Sequence, residues 1–177
     1  MFQFMRRVIG AALLQPAAYE DVEADRSATV QAIVVVLMSS LATGVGALGL
    51  LNARPAALAA ISLLAFAVWA AWALLTLQIG TRILPSAATQ ADVGQLLRVT
   101  GFASAPGMLR VIGLVPGATT IVFVVTMIWM LLAMIVAVRQ ALDYTSTLRA
   151  FAVCALGLAL SLGFAFVLGL IFSPTLQ

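Results

Sequence analysis

The stretch QLLRVTGFASAPGMLRVIGL, Gln95 to Leu114, decides the architecture, because its reading sets how many times the chain crosses a bilayer. It is twenty residues long, with Arg98 and Arg110 near its ends and Pro106-Gly107 interrupting its middle. A transmembrane helix needs ~20 predominantly apolar residues. Long arginine stems snorkel to the headgroups, so such a helix persists when it packs against neighbours.

On either side of this stretch the spans are plain. The first runs from Ala28 to Leu51 (ATVQAIVVVLMSSLATGVGALGLL), and a break follows at Asn52-Ala53-Arg54-Pro55. Pro55 suits the first turn of a new helix. The second span covers Ala56 to Gly80, a fourth Ala118 to Val138, and a fifth Leu148 to Phe172. Counting Gln95–Leu114 as the third, with the N-terminus inside, places seven arginines on inner segments and two on outer ones. Without it the division is six to three. The positive-inside rule therefore prefers five crossings, with the C-terminus outside.

Composition points the same way. Of 177 residues, 64% are hydrophobic and 8% charged, where a soluble domain carries about 25% charged residues. So few charges cannot coat a water-soluble enzyme of this size. The mean hydropathy is +1.17. The nine basic residues are all arginines and are scattered along the chain, so the net charge of +3 does not imply nucleic acid. Cys154 is the sole cysteine and lies in an apolar run, which excludes an internal disulfide.

Residues 1–27 form a separate N-terminal segment ahead of the membrane domain, 28–177. Phe2, Met5, Ile9, Ala12 and Leu13 recur at helical spacing, with Gln3, Arg6, Arg7 and Gly10 opposite. That pattern predicts an amphipathic helix in the membrane interface, its arginines near anionic headgroups. A cleaved signal peptide is the rival reading, but the stretch VIGAALL runs into Gln15-Pro16 without a convincing cleavage site. Four of the six acids follow, at Glu20, Asp21, Glu23 and Asp25. Asp25 or Ser27 is placed to cap the first membrane helix.

Catalytic constellations lack their parts. Without histidine, and with one cysteine, the histidine triads, common zinc sites and thiol chemistry are missing. The only glutamates precede the first span, and without lysine no phosphate loop of the GxxxxGK[ST] type exists. No catalytic residue, cofactor or metal is expected. Ion-coupled carriers bury a charge near the midplane, and none of the four plain spans has one. Arg98 and Arg110, flanking the broken helix, are the candidates for an anion or a lipid phosphate.

Packing chemistry is better represented. Small residues cluster in the first span around Gly44 and in the fifth at Gly157 and Ser161, whose spacing of four lets helix backbones approach. They serve packing within the chain or a self-association face. Trp129, with Trp69 and Trp72, falls in mid-span and is expected to pack between helices.

The run LLQPAAYEDVEAD, then LLRVTGFASAPGMLRVIGLVPG and IWMLLAMIVAVRQALDYTSTLRAFAV, resembles the Yip domain (Ypt/Rab-interacting protein) family, in particular its small bacterial members. Its most specific matches are Phe102 and Pro106, together with Trp129, Arg139 and the run Ser146-Thr147-Leu148-Arg149-Ala150. Arg149 stands where a lysine is frequent. The resemblance implies an all-α, five-helix transmembrane bundle with a cytoplasmic N-terminus and a non-enzymatic role. Eukaryotic members bind prenylated GTPases through a long N-terminal region that this chain lacks, so a Rab-type partner is not expected. The expectation is a membrane-organising scaffold or accessory subunit of the bacterial inner membrane, its C-terminus periplasmic. Its partners would be lipids and another membrane protein or a second copy. The alternative is a small transporter or lipid-handling protein using the broken third helix.

Overall fold

A computed structural model describes residues 2–51, 56–84 and 92–172, with side chains described except at 49–51, 56, 57, 60, 61, 161, 162 and 164–172. The described residues are helical, without strands. The elements are α1 (Phe2–Ala12), α2 (Pro16–Ala24), α3 (Ala28–Leu51), α4 (Ala56–Gln78), α5 (Val93–Ala103), a 3-10 helix (Ala105–Leu114), α6 (Thr119–Ala141) and α7 (Thr147–Phe172). Among the described residues three helices are long and apolar enough to cross a membrane: Ala28–Leu48, Ser62–Ile83 and Thr119–Ala141.

The close contacts of glycines give the topology. Gly44 of α3 lies against Leu58 and Ser62 of α4, so these two pack as an antiparallel pair. The α5–3-10 segment then runs parallel to α3. Gly101 meets Ala32, Gly107 meets Ser39, and Gly113 meets the Gly46 carbonyl. Returning antiparallel to that segment, α6 places Thr119 beside Gly113 and Met130 beside Gly107. Finally α7 passes α4, with Gly157 against Trp72 and Thr76.

Local chemistry explains the junctions. Asp92 and Gln95 form a capping box at the start of α5: the Gln95 amide donates to Asp92 Oδ1 at 2.7 Å, and the Asp92 amide donates to Gln95 Oε1 at 2.8 Å. Pro106, three residues past the end of α5, removes a backbone donor where an α-helix cannot continue unkinked, and the chain goes on as a 3-10 helix. At the end of α4 the chain widens into a π-helical turn, Ile79–Ile83. The Tyr144 hydroxyl reaches that turn's carbonyls, 2.6 Å from Leu84 O and 3.1 Å from Gly80 O.

Two helix ends share a C-terminal motif in which the residue just past the helix takes a left-handed conformation. After α1 that residue is Leu14, at φ 61°, with the Gln15 amide donating to Gly10 O. After α6 it is Asp143, at φ 49°, with the Tyr144 amide donating to Arg139 O. Leucine has no local reason to adopt this conformation, which costs about 1–2 kcal/mol. Its side chain is half-buried against the hydrophobic core and forms part of the wall of an apolar cleft.

Candidate functional site

Two regions hold polar groups where the sequence is otherwise apolar. The first is the α1–α2 hairpin. Its centre is Arg7, which is 2% exposed. The Nε donates to Asp21 at 2.9 Å, Nη2 to Asp25 at 2.8 Å, and Nη1 to Gln31 Oε1 at 3.1 Å. One guanidinium thus ties α1 to α2 and to the start of α3. The Asp21 carboxyl is held below its ordinary value first by its bond from Arg7. Asp25 is lowered to about 2 by the Ser27 hydroxyl and then by Arg7. In turn Asp21, followed by Asp25, raises Arg7 against the opposing effect of burial.

This arrangement corrects one expectation. Arg7 does not face headgroups from the outer side of α1; it points inward, and the apolar side of the helix points out. Phe2, Met5, Ile9 and Leu13 are 88%, 48%, 52% and 59% exposed. Of the two arginines, Arg6 keeps a solvent-facing position, with a loose 3.6 Å contact to Asp21. The hairpin is further fixed by Tyr19, whose buried hydroxyl donates to Ala11 O at 2.9 Å, and by an edge-on contact between Phe4 and Phe102. Burial raises the Tyr19 phenol.

The second region is the 3-10 helix between α3 and α6. At three residues per turn, side chains three apart eclipse, so Gly107, Arg110 and Gly113 stand in one row facing α3. The Ser39 hydroxyl abuts Gly107, and the Arg110 carbonyl abuts Gly46. Within this seam Arg110 donates from Nε to Thr126 Oγ1 at 3.2 Å and from Nη1 to Thr43 Oγ1 at 3.0 Å. Both threonines donate their own protons to carbonyls of their helices, Thr43 to Ser39 and Thr126 to Val122, leaving lone pairs for the guanidinium. The Phe123 ring lies 5.2 Å from the Arg110 guanidinium carbon.

Arg98 and Arg110 do not converge. Arg98 is 6% exposed, and its Nη2 donates to Glu23 O at 2.7 Å, capping the C-terminal end of α2. Among the described residues its buried Nε has no hydrogen-bond partner. The Glu23 carboxyl is raised by burial first, then by Asp143, with Arg98 opposing. Eleven residues of mixed α and 3-10 helix lie between the two arginines, about 20 Å.

The other sequence candidates serve as joints. The Trp129 indole donates to Ala12 O at 2.7 Å, holding the end of α1 against the middle of α6 rather than packing one span on another. Phe102 is fully buried, and Pro106 opens the 3-10 helix. Arg139 is exposed at the end of α6 and donates to Tyr144 O at 3.3 Å. Gly44 and Gly157 both face α4. The Ser161 side chain lies outside the described residues. Sequence reasoning missed the Arg7–Asp21–Asp25–Gln31 cluster and the roles of Gly46 and Gly107. The spacing of three in Gly107, Arg110 and Gly113 was the available signal for the seam.

Among the described residues no group of three or more His, Cys, Asp or Glu is placed to hold a metal ion. No protein-family model, curated protein or solved structure matches the chain.

Proposed function

We propose that this chain is a five-span, non-enzymatic protein of a bacterial inner membrane, related to the Yip domain family, with its N-terminus cytoplasmic and C-terminus periplasmic. It organises the membrane as a scaffold or accessory subunit, and its N-terminal hairpin lies as a wedge in the inner leaflet. The observation that carries this reading is the hairpin's orientation. Arg7 is consumed inside while Phe2, Met5, Ile9 and Leu13 face outward. An exposed apolar stripe of that kind is stable when immersed at the headgroup–acyl boundary.

Five crossings are supported by the path of the broken segment, which tracks α3 from Ala32 to Gly46. Eleven α and ten 3-10 residues extend about 36 Å, enough for a ~30 Å hydrocarbon layer. The 26 residues of α7 extend about 39 Å. A shallow wedge in one leaflet expands that leaflet and favours curvature, while the Gly44 and Gly157 faces hold the bundle that anchors it. The partner is another membrane protein or a second copy.

The test is a spin label at Ile9→Cys in a Cys154→Ser background, reconstituted in vesicles. Accessibility to membrane-dissolved oxygen with protection from an aqueous nickel complex is expected; the reverse would sink the wedge. Met5→Glu with Ile9→Glu should also remove any narrowing of vesicles by the wild-type chain.

A second reading has one observation in its favour. Among the described residues no carboxylate pairs with Arg110, and its remaining N–H groups suit an anion or lipid phosphate in the broken helix. Arg110→Gln should then abolish phosphate binding while the fold persists.

A further inference from the structure

Two clefts meet where the hairpin touches the α6–α7 corner. One, about 410 Å³, is polar and mixed in charge, with Glu20 of α2, Arg139 and Gln140 of α6, and Asp143 of the turn in its wall. The other, about 440 Å³, is lined by Leu14, Leu132, Ile135, Leu148 and Phe151 among others. Val136 and Thr147 belong to both walls, so the clefts adjoin. Along α6 the step from Leu132 to Arg139 is seven residues, about 10 Å. A charged cleft therefore sits at the helix end and an apolar one adjoins it and reaches about two turns deeper, the order of a phospholipid's headgroup and its chains.

We infer that this corner is a binding site for one glycerophospholipid with a primary-amine headgroup, a phosphoethanolamine type. The proposal rests on the membrane reading above and goes beyond it by naming a ligand. The charges select the headgroup. Arg139 is the cation available to a phosphate, as a planar donor fork. Glu20 and Asp143 offer carboxylates to an ammonium, which has three donors to give. An anionic glycerol headgroup would meet two carboxylates with no cation to offer them. A quaternary ammonium would want an open aromatic face, and Tyr144, the aromatic residue in the wall, already has the Arg149 guanidinium over its ring at 5.7 Å. The Gln140 amide, bonded to Glu20 Oε1 at 3.1 Å, fixes that carboxylate in the wall. The acyl chain lies along Leu148 and Phe151, which are 75% and 53% exposed.

The test uses the full-length chain, delipidated in detergent and offered dioleoyl phosphatidylethanolamine, phosphatidylcholine and phosphatidylglycerol in equal amounts, with retained lipid read by native mass spectrometry. One phosphatidylethanolamine per chain is expected, preferred by about tenfold, the return of one charge-assisted hydrogen bond. Asp143→Asn with Glu20→Gln should erase that preference, and asparagine keeps the left-handed turn accessible. Arg139→Gln should lower retention of all three lipids. Because Arg139 also holds the turn, Leu132→Trp serves as the second variant, obstructing the chain cleft without touching a charge, and it too should lower retention of all three. Equal retention of the three lipids by the wild-type chain, or an unchanged preference in Asp143→Asn/Glu20→Gln, would overturn the site. The Ile9 spin label is scored separately: an immersed hairpin with indiscriminate lipid binding removes the site and leaves the wedge standing.

Discussion

Arg7 in the hairpin and Arg110 in the broken segment are both guanidinium groups set among helices, yet their surroundings differ in kind. Arg7 meets two carboxylates and an amide within 3.3 Å. Arg110 meets two threonine hydroxyls and the face of a ring. The difference extends to how each region is docked. The hairpin is joined to the bundle by reaching side chains: Arg7 to Gln31, Trp129 to Ala12, Phe4 to Phe102. The broken segment is joined by one reaching side chain, Arg110, and otherwise by glycines: Gly46 and Gly113 let backbone approach backbone, and Gly107 makes room for the Ser39 hydroxyl. The carboxylates that receive Arg7 are 34% exposed, so ions are cheaper to keep there. In an apolar layer every unpaired ion is costly, and close packing with neutral acceptors replaces ion pairing.

The severest way to break this contrast is Gly46→Leu. The new side chain would collide with the Arg110 carbonyl, a backbone atom that cannot swing aside, and with Phe123. A loss of about 3 kcal/mol is expected, seen as a lower unfolding temperature in detergent and a dispersed assembly. Survival with wild-type stability would mean the seam is not packed on glycine. Next, Arg7→Ala should cost about 2 kcal/mol of hairpin docking, leaving Asp21 and Asp25 without their shared donor. Here the bundle should persist while proteolysis within residues 13–27 accelerates. Loss of both together would erase the distinction between the regions.

Acid probes the same latch. Both aspartates titrate lower when folded, so their contribution is complete above the ordinary carboxylate range and is lost as pH falls toward about 2, the value for Asp25. Hairpin protease sensitivity should therefore rise only below pH ~4, and Arg7→Ala should flatten that dependence. Arg110→Gln comes next, at about 1 kcal/mol, because one hydroxyl contact can survive while the cation–ring contact goes. The smallest effect is expected of Gly157→Ala. Its added carbon meets the Trp72 indole nitrogen at 3.1 Å, a side chain that can shift, so the change should stay below about 1 kcal/mol. A larger drop would show that α7 is docked as rigidly as the seam.

Helices α3, α4, α6 and α7 were readable because each is a long apolar run, whereas α2, short and acidic, carried no such signal. The first, Ala28–Leu51, coincides with α3, and Pro106 marks the change of helix type as its chemistry requires. The facing of α1 was not readable. Periodicity tells that a helix has two sides but not which one meets the protein, and Arg7 faces inward because acids 14 and 18 residues away await it. Arg98 was spent in the same way, on a carbonyl 75 residues distant. Pairings that arise only when helices assemble leave no local pattern, whereas caps and breaks do.

The break at Pro106 also bears on how the chain is made. In a five-crossing arrangement the segment from Gln95 to Leu114 must enter the bilayer carrying Arg98 and Arg110, each an insertion penalty of roughly 2.5–3.5 kcal/mol if met at a helix centre by a nascent chain. What relieves Arg110 includes Thr126 and Phe123, residues of α6 that leave the ribosome after it. In that arrangement Thr43 of α3 already awaits Arg110, but the segment would complete its contacts only after α6 follows, the two packing as a pair against α3.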